Sequence, residues 1–187
     1  MSDSWYLEAS GYYVPAGEAT DFPVRQGDVF AGPEVDGERW LAAQLVHPTC
    51  DLAKRPVRKV QLVRVRPLSD LSDDHWRRLV IMGYREREGH VQVAAAHTFF
   101  LPPWSAGGEP AYADFRDIVQ VDRAAIEIGR RAAAITHDCR VTFIRRWLYF
   151  RFRHSFSFET IRDWEAQRIF GDPAFAGPGP SWATAAS

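Results

Sequence analysis

The sequence predicts an α+β fold: a small curved antiparallel β-sheet, or open barrel, capped by C-terminal helices. Three observations lead there. Short runs rich in valine, leucine and phenylalanine, bounded by turn residues, fall at 29–30, 39–46, 59–66, 91–101 and 112–121. Residues 72–80 and the stretch from Cys139 onward carry helical apolar spacing instead. Apolar residues make up 46% of the 187 and charged residues 25%, a balance that supports a buried core and excludes global disorder.

Residues 1–21 hold Trp5, Tyr6, Tyr12 and Tyr13 among glycine, serine and acids without periodicity, so they read as an irregular arm that packs by its rings. A barrel-like domain follows over 22–153. Gly27-Asp28 is a turn pair and Val29-Phe30 opens the first strand; Asp36-Gly37 is a hairpin signal between it and the next, because Asp-Gly accepts positive φ. From Trp40 to Val46 only Gln44 is polar, which predicts a strand buried on both faces. Pro48 stops it and leaves His47, Thr49, Cys50 and Asp51 on a turn at its end. A basic loop then leads into Lys59–Arg66, where Gln61, Val63 and Val65 share one face and Val60, Leu62, Arg64 and Arg66 the other.

Ser72 is the expected N-cap of a helix over 72–80, with Trp76, Leu79 and Val80 on its apolar stripe and Gly83 ending it. Val91–Leu101 reads as two strands about a break. In Tyr112–Val121 the placing of Tyr112 and Phe115 out of alternation predicts a bulge. Residues 126–135 read as a short helical or turn-like segment. Thr136-His137-Asp138 supplies capping groups for a helix from about Cys139 to Arg153, with Val141, Ile144, Trp147 and Leu148 inward. A second helix over 154–171 and a flexible tail over 172–187 complete the expectation.

A formal net charge of −1 argues against gripping nucleic acid by overall charge, so distribution decides. Between Lys54 and Arg66 there are six cations and no acid. Arg39, Lys54, Arg55, Arg58, Lys59, Arg64 and Arg66 are therefore the candidate contacts to RNA or another single strand, with Trp40 or Tyr112 as a stacking platform. Pairing of the 40–46 and 59–66 strands is expected to set the His47 turn beside Arg64 and Arg66 in one groove. An adaptor role is the alternative, docking through the aromatic arm and the aromatic C-terminal helix. Two cysteines and no apolar leader exclude a disulfide scaffold and predict a cytoplasmic protein; no run approaches the ~20 apolar residues of a membrane span.

His47, Cys50 and Asp51 form the densest reactive cluster. Imidazole beside a thiol favours the nucleophilic thiolate, so a thiol-dependent enzyme using Cys50 and His47 is a further alternative. The plainer reading is a buried cysteine beside an Asx turn. His47-x-x-Cys50 with His137-x-Cys139 has a zinc-like stoichiometry, but the second spacing is short for a ligand loop, and neither metal nor other cofactor is predicted. His75 and His90 are expected at the surface and His97 in the core.

Gly27-Asp28-Val29, Arg39-Trp40 through Val46, Val60–Pro67 and Asp122-Arg123-Ala-Ala-Ile126, in that order, resemble the SH3-like barrels of the PemK/MazF toxin family over roughly residues 24–150. The resemblance implies an SH3-like open barrel, dimerisation, and metal-free RNA cleavage, with Arg39 at the position of the catalytic arginine. The family's threonine at the end of the third strand has no match; Ser69 is the displaced hydroxyl. That departure fits a degenerate ribonuclease that binds without cutting. Gln26-Gly-Asp-Val-Phe30 followed by Cys50-Asp51 is also similar to a Gly-Asp, Cys-Asp signature of uncharacterised bacterial proteins, which implies no activity.

Overall fold

The computed structural model describes residues 11–14, 18, 23–53, 57–87, 90–105, 108–126 and 130–152. Trp5, Tyr6, Lys54, Arg55, the expected 154–171 helix and the tail lie outside the described residues. The strands are β1 (Val29–Ala31), β2 (Glu34–Val35), β3 (Glu38–Arg39), β4 (Ala42–Leu45), β5 (Lys59–Pro67), β6 (Tyr84–Arg87), β7 (His90–Val93), β8 (Thr98–Leu101), β9 (Ala111–Asp122) and β10 (Arg131–Ala133). The helices are α1 (Thr49–Ala53), α2 (Asp74–Met82) and α3 (His137–Phe152). Six strands form one antiparallel sheet in the order β10-β1-β4-β5-β9-β8, curled into a half-barrel, so the expected α+β class is the observed one.

The strict alternation of β5 explains why this sheet buries both faces. Val63 and Val65 enter the larger core with Val29, Ala42, Phe115, Phe143 and Trp147, whereas Val60 and Leu62 enter a second core with Phe30, Trp40, Ala43 and Leu45. Between them, β4 is buried at every position, as its apolar run predicts. It is shorter than expected. The Trp40 amide bonds back to the Pro33 carbonyl at 3.1 Å, and Leu41 turns outward, 46% exposed. Residues 38–39 instead join a small ribbon with β2, closed by Asp36 and Gly37 at φ 50° and 80°, as a tight two-residue hairpin requires.

The expected bulge sits in β9. The register with β5 jumps from Val63↔Ile118 to Arg64↔Asp114, and the extra residues drive Phe115 into the core against Phe143 and Trp147. Two sequence expectations are corrected nearby. The N-cap of α2 is Asp73, not Ser72, its carboxylate accepting from the His75 and Trp76 amides at 2.8 and 3.3 Å. On α3 the buried positions are Cys139, Thr142, Phe143, Arg146 and Trp147, while Val141, Ile144 and Leu148 are half-buried. Aromatic and aliphatic residues all round α3 blur its stripe. Arg146 is buried because its guanidinium donates to the Gly83 and Ala94 carbonyls at 3.1 and 3.4 Å.

The segment read as turn-like over 126–135 holds the edge strand β10, whose three residues are too few to show alternation. Its edge is not bare. Val14 N–H donates to the Ala134 carbonyl and Thr136 N–H to the Tyr12 carbonyl. Tyr12 packs on Phe99 and Phe100, and the Tyr13 hydroxyl donates to the Pro102 carbonyl at 2.7 Å. Residues 12–14 thus bridge the two outer strands, β10 and β8, and occupy positions that would otherwise offer free backbone groups. This packing buries Tyr12 and leaves Tyr13 half-buried. Among the described residues, no helix is long and apolar enough to cross a membrane.

Candidate nucleic-acid interface

The end of β4 is built by a clamp that sequence reading passed over. Gln44 Nε2 donates to the Gly27 carbonyl at 2.9 Å, Gln26 Nε2 to the Val46 carbonyl at 2.8 Å, and the Gln26 amide to Thr49 Oγ1 at 2.9 Å. Two short motifs far apart in sequence, Gln26-Gly-Asp and Thr49-Cys-Asp, are therefore one structural unit. Pro48 starts α1 and Leu52, 7% exposed, anchors it in the second core. The polar turn expected after Val46 is thus a short helix. Its side chains Cys50 and Asp51 face outward rather than into the core.

His47 and Cys50 are not brought together. Both ring nitrogens of His47 are buried without a hydrogen-bond partner, and the Cys50 thiol, exposed, contacts Asp51 Oδ1 at 3.8 Å. Thiol chemistry requires a base in contact with the sulfur, and imidazole is not in that position here. The zinc stoichiometry also fails on geometry: Cys139 is fully buried in the larger core, His137 is exposed, and among the described residues no three His, Cys, Asp or Glu side chains converge. His75 is exposed as expected. His97 lies in a turn, stacked on Trp76 at 5.6 Å; burial, with Arg116 nearby, pushes its pKa below 6.5.

The strands of the expected groove do pair, Ala42–Leu45 against Val65–Leu62, but the groove does not form. Val46 N–H bonds to the Gln61 carbonyl, so His47 lies beside the Lys59–Val60 end of β5. Arg64 lies four residues, about 13 Å, away along the strand. Arg64 and Arg66 are also spent. Arg64 grips Glu38 with both terminal nitrogens and stacks over Trp40 at 5.2 Å, and its hydrogen bonds hold the Glu38 carboxyl below 4.5. Arg66 pairs with Asp117 at 2.8 Å. Arg116 pairs with Asp114 at 2.7 Å; burial would raise the Asp114 pKa, yet the Arg116 side-chain and backbone hydrogen bonds hold it below 3.8. Trp40 and Tyr112 are 5% exposed and offer no platform. Arg39 is exposed on β3, folded against Gly32, and Ser69 donates to Glu109 Oε2 at 3.1 Å.

At the other end the cations are free. Arg58, Lys59 and Arg123 are exposed and form no ion pair among the described residues. The Arg123 amide donates to the Arg58 carbonyl at 2.9 Å, and Lys59 stands opposite Asp122 in the β5–β9 register, so one edge carries all three. Arg123 belongs to the 3-10 turn closing β9, and the sequence reading used it only as part of a family motif. Its place next to Arg58 follows from strand pairing, which no local pattern reveals.

A second charged cluster escaped sequence reading. Asp28, 1% exposed, accepts at Oδ2 from the Arg25 amide (2.9 Å) and Arg131 (3.1 Å); its Oδ1 has no hydrogen-bond partner, and Arg140 Nη2 stands 3.9 Å off. Burial pushes the Asp28 pKa above 3.8 against the pull of these donors. Arg140 in turn donates to the Gln26 carbonyl (3.0 Å) and the Ile135 carbonyl (2.9 Å), tying α3 to the same 26–28 turn. The cluster borders a cleft of about 320 Å³ at the start of α3. No protein-family model matches the chain, and no curated protein matches its sequence.

Proposed function

We propose that this chain is a nucleic-acid-binding module, of toxin-related or defence type, whose contacts to a single strand are made by the edge carrying Arg58, Lys59 and Arg123 rather than by Arg64 and Arg66. One observation carries the reading: Arg58, Lys59 and Arg123 stand exposed together on one edge with no ion pair among the described residues, whereas Arg64, Arg66 and Arg116 are each held by a carboxylate. Unpaired cations on one edge are what phosphates displace counterions from, whereas an arginine already held by a carboxylate must first give it up. Lys54 and Arg55 precede this edge in sequence.

Binding, not cleavage, is the activity proposed. Arg39 sits on the β2–β3 ribbon and the hydroxyl of Ser69 is bonded to Glu109, so the resemblance supports no assembled catalytic pair. The toxin-related setting rests on the resemblance alone, as does the homodimer. The cytoplasmic setting agrees with two free cysteines, one of them exposed.

Fluorescence anisotropy with a labelled single-stranded RNA and its DNA counterpart tests the proposal. Three phosphate contacts predict affinity falling about 20-fold between ~50 and ~200 mM salt. No binding to either strand at the lower salt refutes it.

A further inference from the structure

We infer that the cleft at the start of α3 takes one oxo-nucleobase, such as uracil, whose ring N–H and neighbouring carbonyl meet Asp28 and Arg140. This deepens the nucleic-acid reading and rests on it for the strand that carries the base. The charged side chains at the cleft wall are Glu18, Asp28, Arg25 and Arg140, two of each sign, so the wall favours a neutral group over an ion.

Two polar groups of that wall are incompletely used. Asp28, 1% exposed, accepts at Oδ2 from the Arg25 amide and from Arg131, while Oδ1 is buried and accepts from nothing. Arg140 Nη2 stands 3.9 Å from Oδ1, beyond hydrogen-bond reach. Arg140 spends Nε on the Gln26 carbonyl and Nη2 on the Ile135 carbonyl, which fixes the guanidinium plane and leaves Nη1 without a hydrogen-bond partner among the described residues. A buried acceptor lacking a donor is costly, and a ligand N–H placed on it recovers that cost. Acceptor and donor therefore stand side by side, the complement of an N–H next to a C=O. Uracil and guanine carry that pair on one ring edge with no net charge at neutral pH.

The rest of the cleft suits a base. Val14, Pro23, Ala134 and Ile135 give apolar surface and His137 a ring to stack on. Its volume, about 320 Å³, lies at the lower end for small-molecule pockets and admits a nucleoside. The cleft also lies at the end of the sheet that bears the basic edge. Gln26, whose carbonyl holds Arg140, bonds to Val46 and Thr49, and the Val46 amide bonds to Gln61, two residues from Lys59.

The test uses the full chain at neutral pH with uridine and 3-methyluridine, in which a methyl group replaces the hydrogen of the ring N–H, read by calorimetry and NMR shifts. Uridine is expected to bind saturably and to move the Asp28 and His137 amides and the Arg140 Nε–H. The methylated nucleoside is expected to bind at least about tenfold more weakly, having lost one hydrogen bond to a charged group. Arg140→Lys weakens uridine to a similar extent; where that variant does not fold, the methylated ligand decides. Equal binding of the two nucleosides, uridine shifts confined to other residues, or no uridine binding overturns the inference. Arg58→Gln/Lys59→Gln/Arg123→Gln takes uridine as the parent does. RNA binding without uridine binding therefore removes this inference alone, whereas uridine binding without RNA binding removes the strand reading and leaves the base site standing.

Discussion

Gln26 and Thr49 are joined by a 2.9 Å hydrogen bond from backbone amide to side-chain oxygen, and the Gln26 side chain reaches past it to the Val46 carbonyl. This contact fastens the first turn of the sheet to the start of α1 and so fixes where Cys50, Asp51 and the basic edge lie. Replacing Gln26 by Ala removes the bond to Val46 and leaves a buried carbonyl unsatisfied, at about 1–2 kcal/mol. Urea unfolding is expected to show a lower midpoint with an unchanged slope.

Gly27 stands at φ 94°, and a Cβ placed there would lie 2.2 Å from Ile135 Cδ1. Gly27→Ala therefore meets both a left-handed backbone and a collision with the core under α3. A loss of about 2–4 kcal/mol is expected. Thermal unfolding measures it, and a Tm equal to the parent's contradicts the packing of this turn on Ile135.

Tyr13→Phe deletes the hydroxyl that reaches Pro102 and keeps the ring. The expected cost is about 1 kcal/mol, with faster hydrogen exchange at the Val14 and Thr136 amides, which pair this segment with the end of β10. Unchanged exchange at both amides counts against the bridge between β10 and β8.

Asp114 and Arg116 give the pH dependence a sign. The folded-state pKa of Asp114 lies below 3.8, so the stability it contributes is complete above that value and is lost as pH falls through the folded pKa. Because Arg116 is 62% exposed, solvent screens the pair and Asp114→Asn costs only about 0.5–1 kcal/mol near neutrality. Denaturation midpoints of parent and variant should converge in strong acid; a constant gap across the titration rules the linkage out.

Where a residue's surroundings are set by its own strand, the sequence showed them. The two faces of β5, the buried β4, the Phe115 bulge and the Thr136 cap follow from spacing alone. What spacing could not show is which strand ends meet. Arg64 looked available because Glu38, its partner, lies 26 positions away on a ribbon two residues wide. Asp28 read as a turn residue because Arg131 and Arg140 reach it only after β10 pairs with β1 and α3 packs beneath. The clamp from Gln26 to Thr49 is likewise a product of pairing.

The central claim is that phosphate contact belongs to the unpaired edge. Single-strand affinity measured against salt for Arg58→Gln/Lys59→Gln/Arg123→Gln beside Arg64→Gln/Arg66→Gln tests it most directly. The triple variant is expected to flatten the log–log slope by about 2 and the double variant to leave it within experimental error. A triple variant that binds with the parent's slope, while the double variant loses it, would contradict the account.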